Sequence, residues 1–257
     1  MERAELTSGN GKKAPQVQVS VVHKSFGNQA VLKGIDLEVG QGETLSVLGR
    51  SGTGKSVLLK LIIGLHKPDS GTIRVGGKEI TKLPAEELNE VRKRMGFLFQ
   101  QAALYDSLSV EENVAFPLRR HSTMPEEQRK ERVRQLLEQV GMEDDTHKLP
   151  GEISGGMQKR AGLARALALD PDILLFDEPT SGLDPITAEE ICELILRLKE
   201  ERHITSIIVT HDIHAARAVS GRLALMKDGQ VLIQGTFDDL RNSEDPFVRQ
   251  FLKGPEE

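Results

Sequence analysis

Tryptophan is absent from this 257-residue chain, tyrosine occurs once, at Tyr105, and cysteine once, at Cys192. A lone cysteine excludes an internal disulfide framework and fits a reducing compartment. Eight phenylalanines and one tyrosine leave few rings on which bases could stack. The charge balance, 34 basic against 39 acidic residues, lacks the basic footprint of a nucleic-acid binder. Long apolar runs are also missing. Leu61-Ile62-Ile63-Gly64-Leu65 and Ile173-Leu174-Leu175-Phe176 fall far short of the ~18 apolar residues of a spanning helix. Residues 1–15 carry no apolar signal segment and read as a polar, disordered leader. These absences predict a soluble cytoplasmic chain with no nucleic-acid partner. Any membrane path it serves must lie in another polypeptide.

What is present reads first as strands. Val17 to Val22, Ala30 to Val39 and Thr44 to Leu48 are β-branched or alternating, and a glycine-rich run follows the third. Ser56 to Ile63 has helical texture, Thr72 to Val75 leads into a Gly76-Gly77 turn, and Met95 to Gln100 suggests another buried strand. From about 101 to 169 the texture becomes helical. Pro125 opens a charged helix with Val133, Leu136, Leu137 and Val140 on one face, and Gly141 ends it. A second helix is expected over Met157 to Leu169. The unbroken apolar run Ile173 to Phe176 fits a parallel strand buried on both faces, and Thr205 to Thr210 reads as a second buried strand. Between them Asp184 and Pro185 form a helix start ahead of Ile191, Leu194, Ile195 and Leu198. A short helix over Asp212 to Val219 precedes two last strands, Leu223 to Lys227 and Gln230 to Gln234, which meet at a Lys-Asp-Gly turn. The pattern predicts an α/β fold: a mostly parallel core sheet, an antiparallel β subdomain and a helical insert, spanning 16–240 with a tail over 241–257.

Gly49-Arg50-Ser51-Gly52-Thr53-Gly54-Lys55-Ser56, with Val57 continuing the helix, matches the P-loop pattern. Its glycines allow backbone N–H groups to turn inward around a polyphosphate, and the helix presents its positive end to the anion. Lys55 is expected to reach the β- and γ-phosphates and the Ser56 hydroxyl to ligate Mg²⁺. Asp177, at the end of an apolar strand, supplies a carboxylate for the same Mg²⁺, and Glu178 can deprotonate an attacking water. Together these residues imply nucleoside triphosphate hydrolysis.

Ile153-Ser154-Gly155-Gly156-Met157-Gln158 resembles the Leu-Ser-Gly-Gly-Gln signature of ABC transporter ATPases, with Ile153 and Met157 as its departures. Ser154, Gly155 and Gly156 open a helix and so form a second anion site. The resemblance implies that this site completes the P-loop of a second copy, two ATP molecules being sandwiched in a head-to-tail homodimer. It further implies that Phe26 stacks on adenine and that Gln100 touches metal and water. Asp184, in Ser181-Gly182-Leu183-Asp184, would speak across the dimer, and His211 would contact the γ-phosphate and the catalytic base.

Within the family, Gln101-Ala102-Ala103-Leu104-Tyr105, Asn113-Val114-Ala115-Phe116-Pro117-Leu118-Arg119, Asp184-Pro185-Ile186-Thr187 and the tail from Asp245 to Gly254 look similar to the Mla/Mce branch. That resemblance implies phospholipid or other lipid transport in the bacterial envelope, at the cytoplasmic face of the inner membrane. Its partners would be an integral membrane permease (MlaE-like) and an Mce-domain lipid-binding protein. An importer ATPase for amino acids or another small solute is the alternative. A non-transport ABC protein of DNA repair or translation is disfavoured by the absence of long insertions, tandem cassettes and basic surfaces. The tail has two readings: a helix docked on its own domain, or one packed on the other protomer.

Overall fold

A computed structural model describes residues 14–253. Most of the leader, residues 1–13, and the last four residues of the tail lie outside the described residues. The described residues open with two long strands, β1 (Val17–Phe26) and β2 (Gln29–Val39), paired antiparallel. After β3 (Thr44–Leu48) and α1 (Lys55–Ile62), β4 (Ser70–Val75) and β5 (Lys78–Glu79) complete a four-stranded antiparallel sheet ordered β2-β1-β4-β5. Helix α2 (Ala85–Arg92), which no sequence pattern had marked, then leads to β6 (Met95–Leu98).

The helical insert comprises α3 (Val110–His121), α4 (Glu126–Gln139) and α5 (Gly155–Ala166). Beyond it run β7 (Ile173–Asp177), α6 (Pro185–Arg202), β8 (Thr205–Thr210), α7 (Ile213–Val219), β9 (Arg222–Lys227), β10 (Gln230–Gly235), α8 (Phe237–Arg241) and α9 (Pro246–Lys253). The second sheet is ordered β10-β9-β3-β8-β7-β6, parallel throughout except at β9–β10. The predicted mostly parallel core and antiparallel β part are therefore both present.

Several boundaries differ from expectation, and the first strand, read over Val17 to Val22, runs on to Phe26. The strand read over Met95 to Gln100 stops at Leu98, releasing Gln100 into a loop. The helix read over Met157 to Leu169 begins two residues earlier, where Ser154 caps it by accepting from the Met157 N–H, and it ends at Ala166. At the β9–β10 turn Asp228 and Gly229 both have positive φ, 51° and 82°, the geometry that matches hairpin twist.

Alternation within β7 explains its unbroken apolar run. Leu174 and Phe176 pack into the core beneath α5 and α6, with Leu98, Leu163, Leu194 and Ile208. Ile173 and Leu175 point the other way, into the core between the two sheets, with Leu45, Val47, Leu59 and Ile62. Each large side chain so buried contributes about 1.5–3 kcal/mol relative to exposure. A third cluster joins Leu48, Ala216, Leu223, Leu225 and Leu240 to Val248 of α9. The tail therefore docks on its own domain. Phe247 sits between Lys227 Nζ, 4.5 Å from the ring centroid, and the Arg50 guanidinium, 5.5 Å away.

Candidate active site

Three parallel strands end side by side at one edge of the sheet: β3 runs into the P-loop, β7 into Asp177-Glu178, and β8 into His211. Ligand sites of open α/β sheets lie at such carboxyl ends. The loop after β3 is tight. A Cβ on Gly54, whose φ is 99°, would fall 2.6 Å from Leu32 Cδ2, and one on Gly49 would fall 2.7 Å from the Met226 carbonyl oxygen. Glycine at both positions is thus required by close approach and, at Gly54, by backbone conformation. Arg50, Ser51 and Gly52 are exposed, and Thr53 donates its hydroxyl to the Arg50 carbonyl at 2.9 Å. Val57 is half-buried on α1.

Lys55 is buried, and its Nζ donates to the Gly49 carbonyl at 2.7 Å and the Arg50 carbonyl at 3.1 Å. Glu178 Oε1 lies 3.5 Å from the same nitrogen. Burial depresses the Lys55 pKa despite the neighbouring carboxylates of Glu178 and Asp177. Ser56 donates to Asp177 Oδ1 at 2.6 Å, and burial raises the Asp177 pKa. A hydroxyl and a carboxylate oxygen held in contact form a hard, all-oxygen pair. That donor set fits Mg²⁺, which takes one or two protein oxygens and fills its shell with phosphate and water.

Glu178 is buried and left-handed at φ 48°, strained for a residue with a side chain. Its amide donates to the Val209 carbonyl at 2.9 Å. On its other side, His211 Nδ1 lies 2.9 Å from Glu178 Oε2, and the His211 backbone N–H donates to the same oxygen at 3.3 Å. The carboxylate is therefore held between an ammonium and an imidazole. Gln100 is exposed, its Nε2 donating to Ser181 Oγ at 3.4 Å.

The remaining predicted residues lie in two other places. Ser154 and Gly155 are exposed at the start of α5, whereas Gly156 is buried, and a Cβ there would come within 2.4 Å of Thr187 Cγ2. Asp184 caps α6, accepting from the Ile186 and Thr187 N–H groups at 3.1 Å and the Thr187 hydroxyl at 2.6 Å. The Thr187 hydrogen bond holds its carboxyl below the usual range. Among the described residues no hydrogen bond joins Ser154 or Asp184 to Lys55, Asp177, Glu178 or His211. Phe26, 44% exposed at the end of β1, stands edge-on to His66 with Lys24 Nζ 5.3 Å from its centroid.

One buried group escaped the sequence reading. Lys159 Nζ donates to the main-chain carbonyls of Gln100 and Glu178. Its signal was available in the helical period: Lys159 shares a buried face of α5 with Gly156 and Leu163, three and four residues away.

The ABC transporter family profile matches residues 32–181, which include the P-loop, the Ser-Gly-Gly segment and the Asp177-Glu178 pair. The chain belongs to the ABC transporter family. It is an ATP-hydrolysing cassette of that family. A relative described as the intermembrane phospholipid transport system ATP-binding protein MlaF, from Haemophilus influenzae, is 44% identical over 89% of this chain and 86% of its own length. A probable ribonucleotide transport ATP-binding protein, mkl of Mycobacterium leprae, is 43% identical over 93% of this chain. This chain spans about two thirds of the length of the mycobacterial relatives. A methionine import ATP-binding protein of Bacillus cereus is 42% identical over 86% of the chain. Among solved structures, a dimeric ATP-binding cassette in a post-hydrolysis state with ADP and Pi superposes with a TM-score of 0.79. It is 36% identical, covering 86% of this chain and 98% of that one.

Proposed function

We propose that this cassette powers lipid transport between envelope membranes, binding Mg·ATP between two copies of itself beneath an integral membrane permease at the cytoplasmic face of the bacterial inner membrane. The chemistry rests on one arrangement: Glu178 buried between Lys55 and His211, beside the Ser56–Asp177 pair. Glu178 accepts a proton from the attacking water, and His211 orients it and meets the γ-phosphate. Lys55 leaves the carbonyls of its own loop for the β- and γ-phosphates, while the backbone from Gly49 to Val57 cradles the polyphosphate. Ser56 and Asp177 would hold Mg²⁺, and Gln100 would reach metal and water from its loop. When bound, Mg²⁺ neutralises charge on the phosphate oxygens. Phe26 stacks on adenine. Ser154, Gly155 and Gly156 close the site of the second copy, and Asp184 anchors the segment between the two sites. Catalysis is then positioning plus electrostatic stabilisation.

Lipid as cargo is supported by the similarity to MlaF over most of that protein's length, together with the branch-like segments around Phe116 and Phe247. The similarity to mkl and to methionine importers supports a small solute instead. Co-purification from a native membrane separates the two. A permease that carries phospholipid, accompanied by an Mce-domain protein, is the expected result; a permease with a solute-binding protein and no lipid overturns the lipid reading.

A further inference from the structure

Lys159 is only 4% exposed, and its ammonium donates to two carbonyls that belong to different loops. Gln100 follows β6, Glu178 follows β7 at 3.1 Å from Nζ, and Lys159 itself sits on α5, five residues beyond Ser154. Burying an ammonium is unfavourable unless charges and hydrogen bonds compensate. Here burial brings its pKa down to about 8, opposed by Asp177 and Glu178. An apolar side chain would fill the stem's space without that cost. What the ammonium adds is a pair of donations that join two loops with no strand ladder between them. One of these loops is strained: Glu178 holds a left-handed backbone, which persists only where surrounding contacts over-determine it. Val209 fixes its amide, His211 and Lys55 its carboxylate, and Lys159, together with the Ser181 N–H at 3.2 Å, its carbonyl.

We propose that Lys159 is a positioning residue for hydrolysis, its ammonium tying the main chain of Gln100 to that of Glu178 so that the amide and the carboxylate keep a set separation. This rests on the roles given above to Gln100 and Glu178. It also makes α5 a physical link: the helix whose first turn faces the second copy carries, less than two turns on, the group that holds both loops.

The test uses the full chain with Mg²⁺ and ATP. Lys159→Met keeps the stem and removes both donations; Lys159→Arg keeps charge and donors. Lys159→Met is expected to lower kcat at least ~10-fold while KM and affinity for a fluorescent ATP analogue shift by less than about 3-fold, a pattern of lost transition-state positioning. Lys159→Arg recovers much of the loss. By hydrogen exchange without nucleotide, Lys159→Met speeds exchange in residues 99–103 and 178–181 and leaves β3 and β8 at parental rates. Parental kcat, or unchanged exchange in those two segments, overturns the proposal. Faster exchange through β3 and β8 as well marks a general folding role and also overturns it. If the parental chain hydrolyses no ATP, the functional reading falls, while the exchange comparison still decides whether Lys159 holds the loops.

Discussion

Ser56 on α1 donates its hydroxyl to Asp177 at the end of β7 over 2.6 Å, joining residues 121 apart in the chain. The two oxygens form the donor pair assigned to Mg²⁺. Asp177→Asn keeps the shape and removes the charge. ATP affinity measured with Mg²⁺ and with EDTA should differ in the parental chain and become nearly equal in the variant. A persisting Mg²⁺-dependent gain would place the metal elsewhere.

Glu178 lies between Lys55 and His211, so its carboxylate is the base that geometry favours. Glu178→Gln should cut hydrolysis by roughly 10²–10⁴-fold, the usual contribution of a general base, while ATP binding is retained. With ATP the variant should elute as a stable dimer in size-exclusion chromatography. Substantial remaining turnover would move the base to another residue.

Ser154 and Lys55 make no direct hydrogen bond within one chain, as completion of each site by a second copy requires. Ser154→Arg and Lys55→Ala should each be inactive alone. Mixed, they leave one intact composite site per heterodimer and should regain part of the activity. Full activity of either variant alone refutes completion between copies.

Gly156 is needed for packing against Thr187, whose hydroxyl is committed to Asp184 at 2.6 Å. Rotating Thr187 to make room would break that hydroxyl hydrogen bond to the cap residue. Gly156→Ala should therefore destabilise the chain by about 1–3 kcal/mol, as overpacking does. Adding Thr187→Ser removes the clashing methyl, keeps the hydroxyl and should restore most of the loss in thermal unfolding. Failure of that rescue would separate Gly156 from Thr187.

Cys192 is buried on α6, and burial pushes its thiol up to about 11. The folded chain therefore keeps its proton above pH 9, where an unfolded thiol has lost it. Since the unfolded state then binds fewer protons, this group's contribution to stability falls as pH rises from about 9 to 11. At pH 7.5 the native thiol should react with a disulfide reagent many times more slowly than the urea-unfolded one. Equal rates would contradict its burial.

Chemistry carried by contiguous residues was legible in the sequence. The spacing from Gly49 to Ser56, the Asp177-Glu178 pair after four apolar residues, and the capped starts at Ser154 and Asp184 each report a local backbone geometry, and local geometry follows from neighbours in the chain. The strand Thr205 to Thr210 was legible in full because Ile207, Ile208 and Val209 form a β-branched centre flanked by the small hydroxyl residues Thr205, Ser206 and Thr210. Helix α2 was not, since it is short and holds only three apolar residues, Ala85, Leu88 and Val91, of which only Val91 is buried.

By itself the sequence excluded an internal disulfide framework, through its single cysteine, and its P-loop and Ser-Gly-Gly motifs carried the resemblance to ABC ATPases. Among the described residues no helix is long and apolar enough to cross a membrane. Only the tertiary structure decided that α9 packs on its own domain with Phe247 against Arg50, that Gly156 is spent on Thr187, and that Lys159 reaches Gln100 and Glu178. Each of those contacts joins residues far apart in the chain. Their partners are set by how the sheet and helices pack in three dimensions, which no spacing along one strand or helix encodes.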